Sequence, residues 1–279
     1  MPESAQQLRL FEPPQPLVER LGAEFFRALP RAAGVYQMFD EADRLIYVGK
    51  AGDLRARLNS YRRTRNQSRK TIRLIHSARA IRWELCPSEA EARLRENELI
   101  RTHRPKFNRA GTWPHGEYLH IESGGESLGL HLAKEPSPGC HGAFRSHVRL
   151  VLKTLGQRVW LTVHDKTSPG DIPYSLTAME ACRCLSIPGA QQDPWIELFH
   201  DYFGGKSTSL IDRLTVPEGR ITNPFERTFH DTGTTLLVEF YDRGPRRNRA
   251  LRARFPVDRT WVEPIELDDL PIRIEVLGG

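Results

Sequence analysis

The stretch from Gly34 to Lys50, GVYQMFDEADRLIYVGK, constrains what this chain can fold into more than any other. Val35, Gln37 and Phe39 alternate with Tyr36 and Met38, the two-residue period of a half-buried strand. Leu45 to Val48 answers as a partner strand, and the segment from Phe39 to Arg44 supplies an acidic turn. Each arm sets a tyrosine close to a glycine. A glycine there lets backbone and an approaching ligand come near without an intervening side chain.

Beyond the hairpin the chain reads as a short series of helices and one more strand. Asp53 is placed to cap a helix whose Leu54, Leu58 and Tyr61 fall on one face. Thr71 to Ala80 is predicted as a second helix, with Ile72 and Ile75 inward and Arg73 and Arg79 outward. Ile81 to Leu85 alternates strictly, as a third strand would. Ser88 with Glu91 forms a capping box that opens a helix running to about Thr102, which Pro105 stops. The order strand, strand, helix, helix, strand, helix makes an α/β (α+β) unit over residues 25–110. Its three-stranded, mostly antiparallel sheet is flanked by helices. Residues 1–24 read as a partly disordered lead-in. The turn-rich segment from Gly111 to Gly116 marks a boundary, and 111–279 is expected to be a mixed α/β C-terminal domain for DNA or partner binding, with the basic run Arg243–Arg254 as its DNA-binding candidate. Strands are expected there at Glu117–Ile121, Arg158–Val163 and Thr235–Tyr241, and helices near His147–Leu155 and Pro194–Phe203.

Charge is distributed unevenly. Residues 1–110 hold 22 Lys and Arg against 13 Asp and Glu, while the remainder holds 19 against 22. From Leu54 to Trp83 there are ten basic residues and no carboxylate. A solvated helix face mixes signs, so a one-signed patch of this kind points to a phosphate backbone as partner. No run of 18 apolar residues exists, which argues against a membrane span. The first residues lack the basic and apolar regions of a secretory signal. Four cysteines, at 86, 140, 182 and 184, form no zinc-like spacing and read as reduced thiols. A cytoplasmic location is expected.

Five blocks, in order, carry a resemblance. They are Gly34-Val35-Tyr36, Tyr47-Val48-Gly49-Lys50, Arg57 with Tyr61, the segment from Glu89 through Glu96 to Ile100, and Arg104-Pro105-Lys106-Phe107-Asn108. Together they resemble the GIY-YIG nuclease family, most closely the N-terminal domain of UvrC-type excinucleases and their shorter Cho-like relatives. A fainter likeness runs through Gly142-Ala143-Phe144 and Tyr202-Phe203-Gly204-Gly205-Lys206. Glu98 stands where UvrC-type sequences generally have asparagine, and Gly52 where a basic residue is common. The four-cysteine iron–sulfur signature of full-length UvrC is not reproduced. The chain also lacks helix-hairpin-helix repeats and a second nuclease, so a single incision is expected.

The resemblance implies a catalytic set of Tyr36, Tyr47, Lys50, Arg57, Tyr61 and Glu96. Phosphodiester cleavage needs a nucleophilic water, a proton acceptor and positive charge where the transition state gathers negative charge. Glu96 lies between Ala92, Leu99 and Ile100 on a face that should turn inward, where an unpaired carboxylate is costly. A hard divalent cation, Mg²⁺ or Mn²⁺, would relieve that cost. The alternatives are an ion pair with Arg93 or Arg95, or solvent. In the resembling family the second-strand tyrosine, here Tyr47, is the general base, and Tyr36 lines the same site; the alternative for both is core packing with a satisfied hydroxyl. A phenol with a pKa of about 10 needs its phenolate stabilised; Lys50, Arg57 or the cation could do so. Arg57 offers a planar fork matched to phosphate oxygens, and Tyr61, four residues on, either orients it or completes the apolar face. Arg62, Arg63, Arg65, Arg69, Lys70, Arg73 and Asn108 are the expected DNA-binding residues, with Asn108 either tying the loop back to the site or capping that loop.

Three functions compete. The first is a metal-dependent DNA endonuclease nicking one strand near damage in nucleotide excision repair, with DNA and a UvrB-like helicase as implied partners. The second is a repair-independent, structure-specific or mobile-element enzyme. The third is a non-catalytic nucleic-acid-binding module.

Overall fold

A computed structural model describes residues 15–62, 67–108, 115–124, 127–145, 147–177, 184–186, 192–221, 223–255 and 258–278. The chain divides into two compact units, Met1–Pro114 together with Asp269–Gly279, and His115–Asp268.

In the first unit the elements run α1 (Pro16–Leu21), α2 (Ala23–Ala28), β1 (Gly34–Phe39), β2 (Leu45–Ala51), α3 (Leu54–Ser60), α4 (Arg69–Ser77), β3 (Ala80–Leu85) and α5 (Glu89–His103). The sheet is three-stranded and wholly antiparallel, in the order β2-β1-β3. The alternation in the hairpin decides its two faces. Tyr36 and Met38 point to one side, where Leu17, Phe26, Leu54, Leu58, Leu74 and Ile75 close a core. Val35 and Val48 point to the other, against Ala92, Leu99 and Ile100 of α5. Truncating a fully buried residue such as Leu58 would cost about 2–5 kcal/mol.

Local signals act where they were expected. Asp53 accepts the backbone N–H of Ala56 at 2.8 Å and starts α3, and Ser88 accepts that of Glu91 at 3.1 Å and starts α5. Arg104 adopts a left-handed conformation just before Pro105 and ends it. Two expectations change. Helix α4 ends at Ser77, not Ala80, because Ala80 already pairs with Phe39 in the sheet; Leu74 and Ile75 are its buried residues, with Ile72 half-buried. Residues 15–24, expected in the lead-in, are helical over most of their length, because Leu17 has an apolar face to bury against.

The second unit runs β4 (Glu117–Gly124), β5 (Ser127–Ala133), β6 (His141–Phe144), α6 (Val148–Val163), β7 (Cys184–Ser186), α7 (Gln192–Phe203), α8 (Ser209–Leu214), α9 (Pro224–Tyr241), a π-helical turn at Asp242–Arg246, and α10 (Arg247–Arg254). Its sheet is antiparallel in the order β6-β4-β5-β7. The core lies between that sheet and α6 to α9. Here the strands expected at Arg158–Val163 and Thr235–Tyr241 are helical. Val148, Val151, Leu152, Leu155 and Val159 keep one helical stripe buried along α6. His230, Gly233, Leu237 and Phe240 do the same along α9. Burial of a continuous stripe outweighs the β-propensity of the short windows. The helices expected near His147–Leu155 and Pro194–Phe203 are present, the first extending to Val163. Strands β5, β6 and β7 have no counterpart in the sequence reading.

The last helix, α11 (Pro264–Gly278), supplies residues 269–278 to the first unit. There Asp269, nearly buried, accepts from both terminal nitrogens of Arg101 at 3.2 and 2.6 Å and from Asn97 at 3.0 Å. No helix among the described residues is long and apolar enough to cross a membrane.

Candidate active site

The hairpin register places Tyr36 opposite Gly49 and Met38 opposite Tyr47. Tyr36 and Tyr47 are therefore diagonal neighbours on one face, with ring centroids 6.0 Å apart. Gly49 is required by this packing: a Cβ there would lie 2.4 Å from the Tyr36 hydroxyl oxygen. At Gly34 a Cβ would fall 2.3 Å from the Glu84 carbonyl oxygen. Both glycines thus make room for the protein's own groups.

Tyr36 has 0% exposure, and its hydroxyl is held from two sides. It lies 2.8 Å from the Tyr61 hydroxyl and accepts from Arg57 Nε at 3.1 Å. The guanidinium carbon of Arg57 sits 5.0 Å from the centroid of the Tyr61 ring. The helical spacing of Arg57 and Tyr61 thus becomes a physical contact. Burial, then the neighbouring tyrosines Tyr61 and Tyr47, drive the Tyr36 pKa far upward, so this hydroxyl remains a phenol. Burial likewise pushes Tyr61 up to about 12. Burial works against the Arg57 charge, but the tyrosine oxygens outweigh it and raise its pKa. Tyr47 differs from Tyr36 in being only half-buried. It borders a cleft of about 220 Å³ with Arg57, Tyr61, Lys70 and Thr71.

Glu96 and Asn108 meet at another feature, the outer edge of β2. That strand pairs with β1 on one side only. On its other side Ile46 O accepts from Phe107 N at 2.9 Å. Val48 N donates to Asn108 Oδ1 at 2.9 Å, and Asn108 Nδ2 returns a bond to Val48 O at 2.8 Å. Lys50 N donates to Glu96 Oε1 at 3.2 Å. The edge is thus covered by the end of the first unit, and the carboxylate is fixed to the strand that carries Tyr47. Arg93 pairs with Glu275, and Arg95 with Glu84 and Glu98. Among the described residues no ion pair reaches Glu96. Desolvation raises its pKa, opposed by the Lys50 N–H and by the charges of Lys50 and Arg57. No cluster of three His, Cys, Asp or Glu suited to a metal occurs among the described residues. A half-buried carboxylate that no ion pair among the described residues neutralises would suit one oxygen ligand of a hard cation such as Mg²⁺.

The remaining expected residues spread over the surrounding surface. Lys50 Nζ is engaged by Glu89 at 2.5 Å and not by Tyr47. Arg69, Lys70 and Arg73 are exposed on α4, and Lys70 reaches the cleft. Arg62 lies 5.7 Å from the Phe26 ring centroid and donates to Asn59 Oδ1 at 3.2 Å. Arg63 and Arg65 lie outside the described residues. The sequence reading missed Glu89, although it sits seven residues before Glu96 and so shares a helix face with it. It also missed the cleft-lining Ser60, Gln67 and Thr71, which no motif marks.

Residues 32–109 match the family model of the UvrC-like GIY-YIG domain. UvrABC system protein C of Actinobacillus succinogenes is 45% identical over 84 residues, which is 30% of this chain and 14% of that relative. The protein of the same name from Porphyromonas gingivalis is 44% identical over 80 residues, 29% of this chain and 13% of its own. The chain thus spans about a seventh of the length of the curated relatives it matches. A solved structure, the GIY-YIG N-terminal endonuclease domain of UvrC from Thermotoga maritima bound to its catalytic divalent cation, magnesium, is 32% identical. It covers 31% of this chain and 93% of that domain, with a TM-score of 0.28.

Proposed function

From the premise that residues 32–109 belong to the UvrC-like GIY-YIG domain family, we propose that this chain is a metal-dependent DNA endonuclease that nicks one strand during nucleotide excision repair. The observation that carries the reading is the meeting of Tyr36, Tyr47, Arg57 and Tyr61 on one face of the hairpin, with Glu96 bonded to the same strand.

Glu96 would hold Mg²⁺ or Mn²⁺, which when bound polarises the scissile phosphate and stabilises charge on the departing oxygen. Arg57, exposed and oriented by Tyr36, receives a non-bridging phosphate oxygen as negative charge builds there. Lys70, across the cleft, holds the neighbouring backbone. Tyr47, which borders the cleft beside Arg57, is the group placed to accept the proton of the attacking water. The water oxygen bonds to phosphorus as one phosphorus–oxygen ester bond breaks, and the released sugar oxygen takes a proton from solvent. Tyr36 is a positioning residue: its buried phenol keeps Arg57 and Tyr61 in register.

Arg69, Lys70 and Arg73 provide sequence-independent affinity for the duplex. The relatives' name, UvrABC system protein C, supports action beside a UvrB-like helicase that loads the chain at damage. The test is nicking of lesion-bearing, intact and branched duplexes, with Mg²⁺, Mn²⁺ or chelator, with and without UvrB. Lesion-dependent nicking that chelator abolishes is expected. Preference for branched, undamaged DNA would favour a repair-independent enzyme, and salt-sensitive binding without scission under every condition would leave a binding module.

A further inference from the structure

The second unit contains a cavity of about 310 Å³ between β6, the start of α6, α9 and the π-helical turn. Its floor is apolar and partly aromatic. Phe144 and Phe240 stand 5.2 Å apart between ring centroids, with Leu236 beside them. Its rim is cationic, with Arg145, Arg243 and Arg247 against the carboxylates of Glu239 and of Asp268, which pairs with Arg145. The π-helical turn shapes this rim. Pro245 has no N–H to give to the helical ladder, and the widened turn brings Gly244 over Phe144, where a Cβ would touch the ring at 3.4 Å. Such π turns are frequent at functional sites.

We propose that this cavity binds a single nucleotide, its base seated on Phe144, Phe240 and Leu236 and its phosphate on the three arginines. The two rings are tilted 51° to each other, and such an apolar, aromatic floor suits a base, which packs on aromatic side chains without regard to sequence. The arginines are tethered so that donors remain for a ligand. Arg145 bonds Asp268 at 2.7 Å and the Pro264 carbonyl at 2.6 Å. Arg247 donates to the Leu267 carbonyl at 2.7 Å, and Arg243 pairs with Glu239 at 3.2 Å while its side chain is 79% exposed. Burial and the nearby Arg145 lower the Arg247 pKa, opposed by Asp268. Three guanidinium groups thus face two carboxylates, Asp268 and Glu239, and the positive excess is what a phosphate can meet. The volume sits at the lower end of small-ligand pockets, which start at roughly 300 Å³, enough for one nucleotide. An acidic peptide would match the rim but leave the aromatic floor without a partner. The ligand is either a free nucleotide or one extruded from a duplex.

The experiment uses the full chain in chelator, so strand scission plays no part and a failure of the nuclease reading shows separately. End-labelled duplexes, one fully paired and one with a single extrahelical adenosine, are titrated by fluorescence anisotropy. The extrahelical duplex is expected to bind about tenfold more tightly. Leu236→Trp, which fills the cavity, should bring the two affinities to parity while leaving the paired duplex unchanged. Arg243→Glu, at an exposed side chain that cannot disturb the core, should also reduce the preference. Competition by 2′-deoxyadenosine 5′-monophosphate assigns the site to free nucleotides as well; persistence of the preference against it assigns the site to nucleotides within a strand. Equal affinities, a preference that survives both variants, or displacement by polyglutamate alone would overturn the proposal.

Discussion

Arg57 Nε donates to the Tyr36 hydroxyl at 3.1 Å while its guanidinium carbon lies 5.0 Å from the centroid of the Tyr61 ring. One arginine is therefore aimed by two tyrosines that also bond each other. Its charge is set in place before any phosphate arrives, which is how preorganised groups lower a barrier.

Tyr36→Phe should reduce the nicking rate by about 10- to 100-fold with little change in DNA affinity, because the lost hydroxyl frees Arg57 without removing its charge. Arg57→Lys, which keeps a charge but loses the fork, should cost about 100- to 1000-fold. The double variant should fall no further than Arg57→Lys alone. Single-turnover kinetics on all three would measure this coupling, and simple multiplication of the two losses would refute it.

Glu96→Gln keeps the shape and an acceptor for Lys50 N–H but removes the charge. Nicking should fall by at least about 1000-fold, and Mg²⁺ should no longer raise the melting temperature. In metal-free buffer the sign reverses. The folded pKa of Glu96 is raised above its ordinary 4.5 by desolvation, so the folded state binds its proton more tightly than the unfolded chain. The carboxylate therefore costs nothing below pH 4.5 and destabilises increasingly as pH rises through the folded pKa. Glu96→Gln should melt higher than the parent at pH 7 without metal, and the gap should close as pH falls toward 4.5. Thermal melts across that range would decide it.

Asn108→Ala removes both bonds to Val48 and should destabilise the first unit by about 1–3 kcal/mol. Asn108→Asp retains the acceptor for Val48 N but cannot donate to Val48 O, so it should not restore stability. Urea denaturation of the three proteins provides the measure.

Replacing Arg69, Lys70 and Arg73 by Gln should lower the slope of log affinity against log salt by about 0.9 for each phosphate no longer neutralised. The weakening should be equal for all duplex sequences, since side chains that grip phosphate position the duplex without reading it. Anisotropy titrations at several salt concentrations would test both statements.

The first unit was legible because its signals are local. A two-residue period, an Asp at a helix start, a Ser three residues before a Glu and a Pro after a basic turn each act within one turn of chain. The surroundings of Glu96 were not legible in the same way. Its neighbour is the backbone of Lys50, 46 residues away, and the competing pairs of Arg93 and Arg95 were settled by Glu275, Glu84 and Glu98. In the second unit, six- and seven-residue windows rich in Val, Thr and aromatics mimic strands. Only a longer view, from Val148 to Val159 or from His230 to Phe240, reveals the helical stripe. The cleft residues Ser60, Gln67 and Thr71 carry no pattern at all, since they become neighbours only when α3 and α4 are folded.

The bonds that Phe107, Asn108 and Glu96 make along β2 also decide where this unit can be shortened. A fragment stopping at Arg104 would bare the acceptors of Ile46 and Val48 and the donor of Val48 as a raw strip, ready to zip onto a second copy. Any minimal fragment cut from this chain to hold the candidate site should therefore retain Asn108, and one that omits it should be recovered as oligomers or precipitate.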